Sequence, residues 1–177
     1  MIYADNAATT RLSPHALEVM TDLAQNAWGN PSSLYELGQR AQEVLADARS
    51  RMAKILGAEA KEVYFTSGGS ESDNQAIRSC ARLGAAKNKR HIVSTAFEHH
   101  AVLHTLKRLE KEGFEVTYLP VHENGIVTAD QVKAAIRPGT CLVTIMFANN
   151  EIGTIQPIAE IGAVCRAAKV PDRKSVV

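Results

Sequence analysis

The chain has 177 residues, with 20 lysines and arginines against 19 aspartates and glutamates, and 45% of its residues are hydrophobic. A chain of this length can bury enough apolar surface to form one domain without disulfides or metals as staples, so one domain is the first expectation. A net charge of +1 provides no long-range attraction for nucleic acid or anionic lipid, which argues against both as partners.

The cysteines and the apolar segments bear on the cellular compartment. Cys80, Cys141 and Cys165 are an odd number of widely spaced thiols among apolar neighbours, a pattern typical of buried thiols in a reducing compartment. The first residues lack the basic and apolar regions of a secretory signal, and no apolar run approaches the roughly 18 residues of a membrane span. We therefore expect a cytoplasmic protein that does not enter a membrane.

Helical periodicity dominates the first part of the chain. Ser13 and Pro14 are a typical N-cap and first-turn pair, and the apolar spacing after them predicts a helix over 14–27. A second apolar stripe predicts a helix over 37–56, ended by Gly57.

From residue 61 onward, short β-rich runs alternate with helical ones. Strands are predicted at 62–66, 91–95, 115–119 and 142–147. Helices are predicted at 72–83, 101–111, 129–136 and 158–168. This alternation predicts an α/β fold with a mainly parallel sheet and helices on both faces.

The end of the chain does not read as the end of such a domain. After the helix that begins near 158, the last six residues resemble neither a strand nor a helix cap. We therefore expect a domain that is incomplete at its C-terminus and a tail over 172–177 that does not belong to it.

Ligands bind at the carboxyl ends of the strands in open parallel sheets. After the first predicted strand, the run 67–74 contains Gly68, Gly69 and Ser70 at the start of a helix. Free N–H groups, the helix dipole and serine hydroxyls at that point favour a phosphate site. The alternative is that Ser70 caps the helix and Asp73 completes a capping box, with the glycines only turning the chain. No G-x-G-x-x-G or G-K-[ST] motif specifies a nucleotide.

Three histidines follow the second predicted strand. His99 lies in the loop itself, where it is suited to acid–base chemistry or to stacking on a flat cofactor. His100 and His104 are one helical turn apart, but they lack the H-E-x-x-H pattern of a zinc pair. We expect these two to be solvated helix residues and expect no metal site.

Paired amides follow the apolar fourth strand. Asn149 and Asn150 are placed to donate to a ligand oxygen, and the alternative is an Asx turn closed by Gly153. The anion cradle, the loop histidine and the amides all fall at one edge of the predicted sheet, which favours a functional site there.

At these residues the sequence resembles the cysteine desulfurases of the iron–sulfur assembly type, within the class V aminotransferase-like enzymes that use pyridoxal phosphate. The matching segments, in chain order, are 3–10, 29–33, 65–74, 98–99 and 149–153. The resemblance ends at about Pro171 and implies the large domain of a fold type I pyridoxal-phosphate enzyme. It divides the chain into an N-terminal active-site segment 1–12, a partial cofactor-binding domain 13–171 and a non-matching tail 172–177.

The resemblance also implies roles for particular residues. Gly69 and Ser70 would hold the phosphate of pyridoxal 5′-phosphate. His99 would stack on the pyridine ring and assist proton transfer. Asn150 would donate its amide to the phenolic oxygen of the cofactor.

The family converts L-cysteine to L-alanine and keeps the sulfur as an enzyme-bound persulfide for iron–sulfur cluster or thio-cofactor assembly. The implied partners are a sulfur-acceptor or scaffold protein and a second subunit in a homodimer. The Schiff-base lysine and the nucleophilic cysteine of the family lie beyond the matching region, and we expect Cys80, Cys141 and Cys165 to serve packing. The 177-residue chain is therefore predicted to be inactive alone.

Two other functions fit the same residues. The first is a non-catalytic binding fragment that associates with a full-length subunit. The second is a phosphate-binding α/β enzyme with unrelated chemistry, which would bind a nucleotide in place of pyridoxal phosphate.

Overall fold

The computed structural model describes residues 2–174, which form two compact units that meet in sequence between Phe65 and Thr66. The first unit contains helix α1 (Pro14–Asn26), helix α2 (Glu36–Leu56) and a 3₁₀ turn (Ala60–Glu62). Both helices were predicted from periodicity. The Ser13 hydroxyl accepts the Ala16 N–H at 3.1 Å as an N-cap, and Gly57 ends α2 in the left-handed conformation with φ 65°.

The predicted strand at 62–66 is wrong. The Val63–Phe65 backbone follows the 3₁₀ turn without a strand partner among the described residues, although Val63 has extended dihedrals of φ −95° and ψ 123°. Its carbonyl accepts a hydrogen bond from Arg49 Nε at 3.1 Å instead. β-Branched and aromatic side chains favour an extended backbone, but a strand also needs a neighbouring strand to bond with.

The second unit alternates helices and strands. Its elements are α3 (Gly69–Ala85), β1 (His91–Thr95), α4 (His100–Lys111), β2 (Glu115–Leu119), α5 (Ala129–Ala135), β3 (Thr140–Thr144), α6 (Ile158–Ala167) and β4 (Asp172–Arg173). The strands pair in the order β2-β1-β3-β4, and every pairing is parallel. The predicted α/β class is therefore confirmed. Among the described residues, none of the helices is both long and apolar enough to cross a bilayer.

Strand β4 lies in the segment that we expected to be a tail outside the fold. Asp172 is in register with Val143, Arg173 is in register with Thr144, and Ile145 N–H donates to the Arg173 carbonyl at 3.2 Å. The Arg173 side chain is buried. The expectation that residues 172–173 form no strand is thus wrong. The Arg173 side chain bonds Thr144 and Asp73, which are distant in sequence, and these contacts hold the segment against β3. Residues 175–177 of the predicted tail lie outside the described residues.

Two apolar clusters cover the two faces of the sheet. One packs α3 and α4 against Ile92 and Leu142, and the other packs α5 and α6 against Val93 and Val143. Neighbouring residues of a strand point to opposite faces, so a strand buried on both sides is apolar at successive positions. This confirms the prediction of helices on both faces.

The connections diverge between the two central strands. Strand β1 leads into α4 on one face of the sheet, and β3 leads towards α6 on the other face. Divergent connections of this kind open a crevice outside the carboxyl ends of the strands, where α/β proteins bind ligands. The loop after β1 carries His99, and the loop after β3 carries Asn149 and Asn150.

Candidate active site

The start of α3 offers unpaired hydrogen-bond donors. Gly68 is the N-cap residue, in extended conformation with φ 162° and ψ 179°, and no side chain caps the helix. The first intrahelical bond runs from Ser72 N–H to Gly68 O at 3.1 Å. The N–H groups of Gly69, Ser70 and Glu71 precede that bond and donate to no described residue. These donors and the positive end of the helix dipole suit an anion.

The space in front of these donors is open. A Cβ atom built on Gly68 or Gly69 would meet no atom within 4 Å. A group as large as a phosphate therefore has room to approach the backbone here. The two glycines and the Ser70 hydroxyl fit the phosphate of pyridoxal phosphate in donor chemistry and in space.

The capping box considered as an alternative for this segment is wrong. Ser70 lies inside the helix rather than at its N-cap, and Asp73 is buried in a different contact. The carboxylate of Glu71 instead accepts hydrogen bonds from Ser67 N–H at 2.7 Å and Ser67 Oγ at 2.6 Å. These bonds lower the pKa of Glu71, so its carboxylate stays ionised and tied to the preceding turn.

His99 is the N-cap residue of α4. Its Nδ1 accepts the Ala101 N–H at 3.2 Å, which requires an unprotonated Nδ1 and leaves the proton of the neutral ring on Nε2. The ring is half-buried. With Nδ1 engaged as the cap, Nε2–H is the group of the neutral ring that is left to donate to a ligand.

The other two histidines belong to the surface of α4. His100 and His104 are exposed, with ring centroids 5.6 Å apart, which confirms that they are solvated helix residues. Within residues 2–174, no cluster of three or more histidine, cysteine or acidic side chains could hold a metal ion.

The two asparagines after β3 have different surroundings. Asn149 is buried, and its Oδ1 accepts the N–H groups of Glu151 at 2.8 Å and Ile152 at 3.0 Å. The Gly153 N–H closes the turn on the Asn149 carbonyl at 3.0 Å. The Asx-turn reading is therefore confirmed for Asn149. The half-buried Asn150 amide makes no hydrogen bond within the described part of the chain and remains available to a ligand.

A buried charged cluster lies at the same edge of the sheet and was missed by sequence reasoning. Arg173 Nη2 bonds the Asp73 carboxylate, and its Nη1 donates to Thr144 Oγ1 at 3.0 Å and lies 3.6 Å from Glu98 Oε2. Glu98 Oε1 accepts the Met146 N–H at 2.5 Å. The only advance signal was Glu98 beside His99 in a matching segment, since no local pattern reveals an ion pair between distant residues.

Burial controls the ionisation of Glu98. It raises the pKa of this carboxyl to about 7, because desolvation outweighs the stabilising Met146 N–H and the Arg173 charge, and the Asp73 charge adds to the increase. Glu98 therefore changes its charge near neutral pH.

The three cysteines are free thiols in apolar surroundings. Cys141 and Cys165 are buried, and Cys80 is half-buried. Burial raises the pKa of all three, that of Cys165 to about 11, so each remains a protonated thiol at neutral pH. This agrees with the packing role expected from sequence.

Hydrogen bonds tie the predicted site segments together. The Asn149 amide donates to the Phe97 carbonyl at 3.3 Å, which links the loop after β3 to the loop after β1. Thr105 Oγ1 donates to Asn74 Oδ1 at 2.6 Å, which links α4 to the first turns of α3. The loops that carry His99 and Asn150 are therefore tied to each other, and α4 is tied to α3 close to the start of α3.

Residues 2–171 match the aminotransferase class-V family, and the chain belongs to that family. The cysteine desulfurase IscS of Methanosarcina thermophila is 50% identical over 169 residues, which cover 96% of this chain and 42% of that protein. The putative cysteine desulfurase IscS 1 of Bacillus subtilis is 47% identical over 168 residues, covering 95% of this chain and 44% of the relative. The chain thus spans less than half the length of these curated relatives.

Solved structures give the same relationship. A NifS-like protein superposes with a TM-score of 0.93 at 37% identity, over 98% of this chain and 48% of that chain. A structure of SspA in complex with cysteine superposes with a TM-score of 0.92 at 40% identity, over 97% of this chain and 49% of the other. The fold is therefore that of NifS-like proteins over the length that this chain covers.

Proposed function

We propose that this chain forms the cofactor-phosphate and ring-binding part of a pyridoxal-phosphate-dependent cysteine desulfurase. The observation that carries the proposal is the convergence of an open, donor-rich helix start with the loops of His99 and Asn150 at the crevice between β1 and β3. The likeness to proteins named cysteine desulfurase supports it.

Each predicted residue has a role that its surroundings permit. The N–H groups of Gly69 and Ser70 and the Ser70 hydroxyl would bind the phosphate. His99 would stack on the pyridine ring and move a proton through Nε2, since Nδ1 is engaged as the cap of α4. The free amide of Asn150 would donate to the phenolic oxygen. When bound, pyridoxal phosphate supplies the electron sink that stabilises negative charge on the substrate's α-carbon.

The proposed substrate is L-cysteine and the proposed products are L-alanine and sulfur carried as a persulfide. The superposition on SspA in complex with cysteine supports a cysteine substrate. A sulfur-acceptor or iron–sulfur scaffold protein would receive the sulfur. We place this chemistry in the cytoplasm, where a reducing environment keeps thiols such as those of Cys80, Cys141 and Cys165 free.

We also propose that the working enzyme is a homodimer. The first unit exposes large apolar side chains, including Leu34 at 90%, Ile55 at 77% and Trp28 at 69% of their full accessibility. Exposed apolar surface of this kind is typical of protein interfaces. Light scattering on this chain tests the dimer. Dimers with micromolar dissociation constants assemble at concentrations up to about 100 μM, so a monomeric mass over that range would contradict the proposal.

Ser70→Ala tests the phosphate site. Pyridoxamine 5′-phosphate is the probe, because it has no aldehyde to react with surface lysines, and its intrinsic fluorescence reports binding. We expect about a tenfold weaker affinity, since a hydrogen bond to a charged group contributes about 1.5 kcal/mol. Ser79→Ala is the matched control, because Ser79 is exposed on the same helix.

Dephosphorylated pyridoxamine extends the test. It should bind the wild-type chain and Ser70→Ala equally weakly if Ser70 acts through the phosphate. Equal affinity of both proteins for pyridoxamine 5′-phosphate, or preference for a nucleotide over it, would contradict the proposed site.

A further inference from the structure

We propose that Glu98 is a positioning residue that holds the His99 loop and the Asn149–Asn150 loop together across the crevice, locked in place by Arg173 and Asp73. The functional importance of this bridge rests on the proposed function, in which these two loops carry the residues that bind the cofactor ring. Its structural part, the coupling of the loops, can be tested without any cofactor.

The geometry places Glu98 directly between the two loops. Glu98 follows β1 and immediately precedes His99, and its Oε1 accepts the backbone N–H of Met146 at 2.5 Å, two residues past the end of β3. The residue is only 5% exposed. A hydrogen bond from a backbone N–H to a buried carboxylate is among the stronger ones in proteins, so it fixes the separation of the two strand ends.

A second bond reinforces this bridge on the same two loops. The Asn149 amide donates to the Phe97 carbonyl at 3.3 Å and also lies 3.5 Å from Met146 Sδ. Asn149 thereby connects the residue before Glu98 to the residues after Met146. Together the two bonds form a clamp, defined here as Glu98–Met146 and Asn149–Phe97.

The charged groups that face Glu98 come from two other elements. Arg173 on β4 lies 3.6 Å from Glu98 Oε2, and Asp73 on α3 shares the same guanidinium. Oε2 itself has no donor at hydrogen-bond distance among the described residues, and the nearby Thr95 hydroxyl favours the charged form only weakly. The carboxylate is therefore held by one strong bond and one charge, and protonation removes the attraction to Arg173 while Oε1 can still accept from Met146.

Burial that raises the pKa of Glu98 to about 7 puts this change within an accessible pH range. Asn149 and Asn150 have side-chain amides that do not titrate, so their NMR signals report the clamp without a change of charge of their own. The backbone amide of Met146 reports Glu98 directly.

The experiment follows these amide signals from pH 5.5 to 8.5 in the 177-residue chain. We expect the Met146 amide and the Asn149 and Asn150 side-chain amides to shift with one common midpoint near 7. In Glu98→Gln, which keeps the shape and an acceptor oxygen, that common transition should vanish. Glu160→Gln, an exposed acid on α6, should retain it.

Glu98→Ala removes the acceptor altogether. We expect it to shift or broaden the His99 ring signal and the Asn150 amide at fixed pH, and to weaken pyridoxamine 5′-phosphate binding about tenfold. If Glu98→Ala fails to fold, the comparison of wild type with Glu98→Gln still decides the question.

The outcomes separate the inference from the proposed function. Asparagine signals that titrate identically in wild type and Glu98→Gln, or a Met146 amide that does not move with pH, would overturn the positioning role. A common transition without binding of pyridoxamine 5′-phosphate would confirm the coupling of the loops and count against the proposed cofactor site.

Discussion

At the scale of single residues, the buried carboxyl of Glu98 links folding to pH. Its pKa of about 7 lies above the ordinary value of 4.5 because burial penalises the charged form. The folded chain therefore binds this proton more tightly than the unfolded chain does. The resulting contribution to stability is complete at low pH, declines as pH rises above about 4.5, and levels off above pH 7.

Glu98→Gln removes this dependence, because glutamine is neutral at all these values of pH. The free energy of unfolding of the variant relative to the wild type should increase between pH 5 and pH 8 by on the order of 2 kcal/mol. Urea denaturation at the two pH values measures the difference. Glu160→Gln, on the surface of α6, should show no such change with pH. If the free energies of unfolding of both variants change equally with pH, the link between Glu98 and folding is disproved.

At the scale of elements, α3 rests closely on β3 through a glycine. A Cβ atom added to Gly84 would lie 2.4 Å from Cys141 Cβ and 2.9 Å from Cys141 Sγ. Neither atom can withdraw without moving the buried strand, because Cys141 is packed within the α3–α4 cluster. The helix and the strand can approach this closely because Gly84 has no side chain.

Gly84→Ala should therefore destabilise the chain despite the better helix propensity of alanine. We expect a loss of about 1–3 kcal/mol, the usual cost of overpacking a core. Gly139→Ala is the control, since a Cβ there meets no atom within 4 Å. Equal midpoints of urea unfolding for Gly84→Ala and the wild type would show that α3 can shift away from β3 without cost.

At the scale of the whole molecule, the predicted cofactor-binding residues all lie in the unit that begins at Thr66. The same unit contains all three thiols, and burial keeps each of them protonated. A thiolate is needed to attack the sulfur of a substrate. None of the three thiols of this chain is therefore an activated sulfur nucleophile at neutral pH.

Catalysis by this chain alone is accordingly predicted to be absent. The purified protein, supplied with pyridoxal phosphate and L-cysteine, should release no more alanine or sulfide than pyridoxal phosphate by itself. Alanine formation above that background, lost in Ser70→Ala and retained in Ser79→Ala, would contradict this prediction and identify an unrecognised nucleophile.

Sequence alone predicts most of this fold, and the exceptions have physical causes. Within residues 2–174, the six helices follow from helical periodicity, and β1–β3 follow from the β-rich runs between them. The predicted strand at 62–66 failed because local propensity does not reveal whether a strand has a partner. Strand β4 was missed because Arg173 reads as a polar tail residue, and its partner Asp73 lies 100 residues earlier.

The site shows the same division. The roles of Gly69, Ser70, His99 and Asn150 came from the resemblance and from their positions, and they stay predictions. The structure shows a start of α3 without a side-chain cap and His99 as the N-cap of α4. The supporting contacts of Glu98 could not be predicted, since they depend on which strands become neighbours. The periodicity of apolar residues predicts which face of a helix or strand is buried. A buried ion pair depends on which elements become neighbours in the folded chain, and no local pattern predicts that.

The placement of β4 at one edge of the four-stranded sheet also affects how the chain behaves towards its own copies. An unpaired strand edge is a template for aggregation unless it is short or charged. Strand β4 has two residues, Asp172 and Arg173, and Lys174 follows with an ion pair of 2.8 Å to Asp172. Within the described residues, the charged side chains of this edge oppose the addition of a further strand from another molecule.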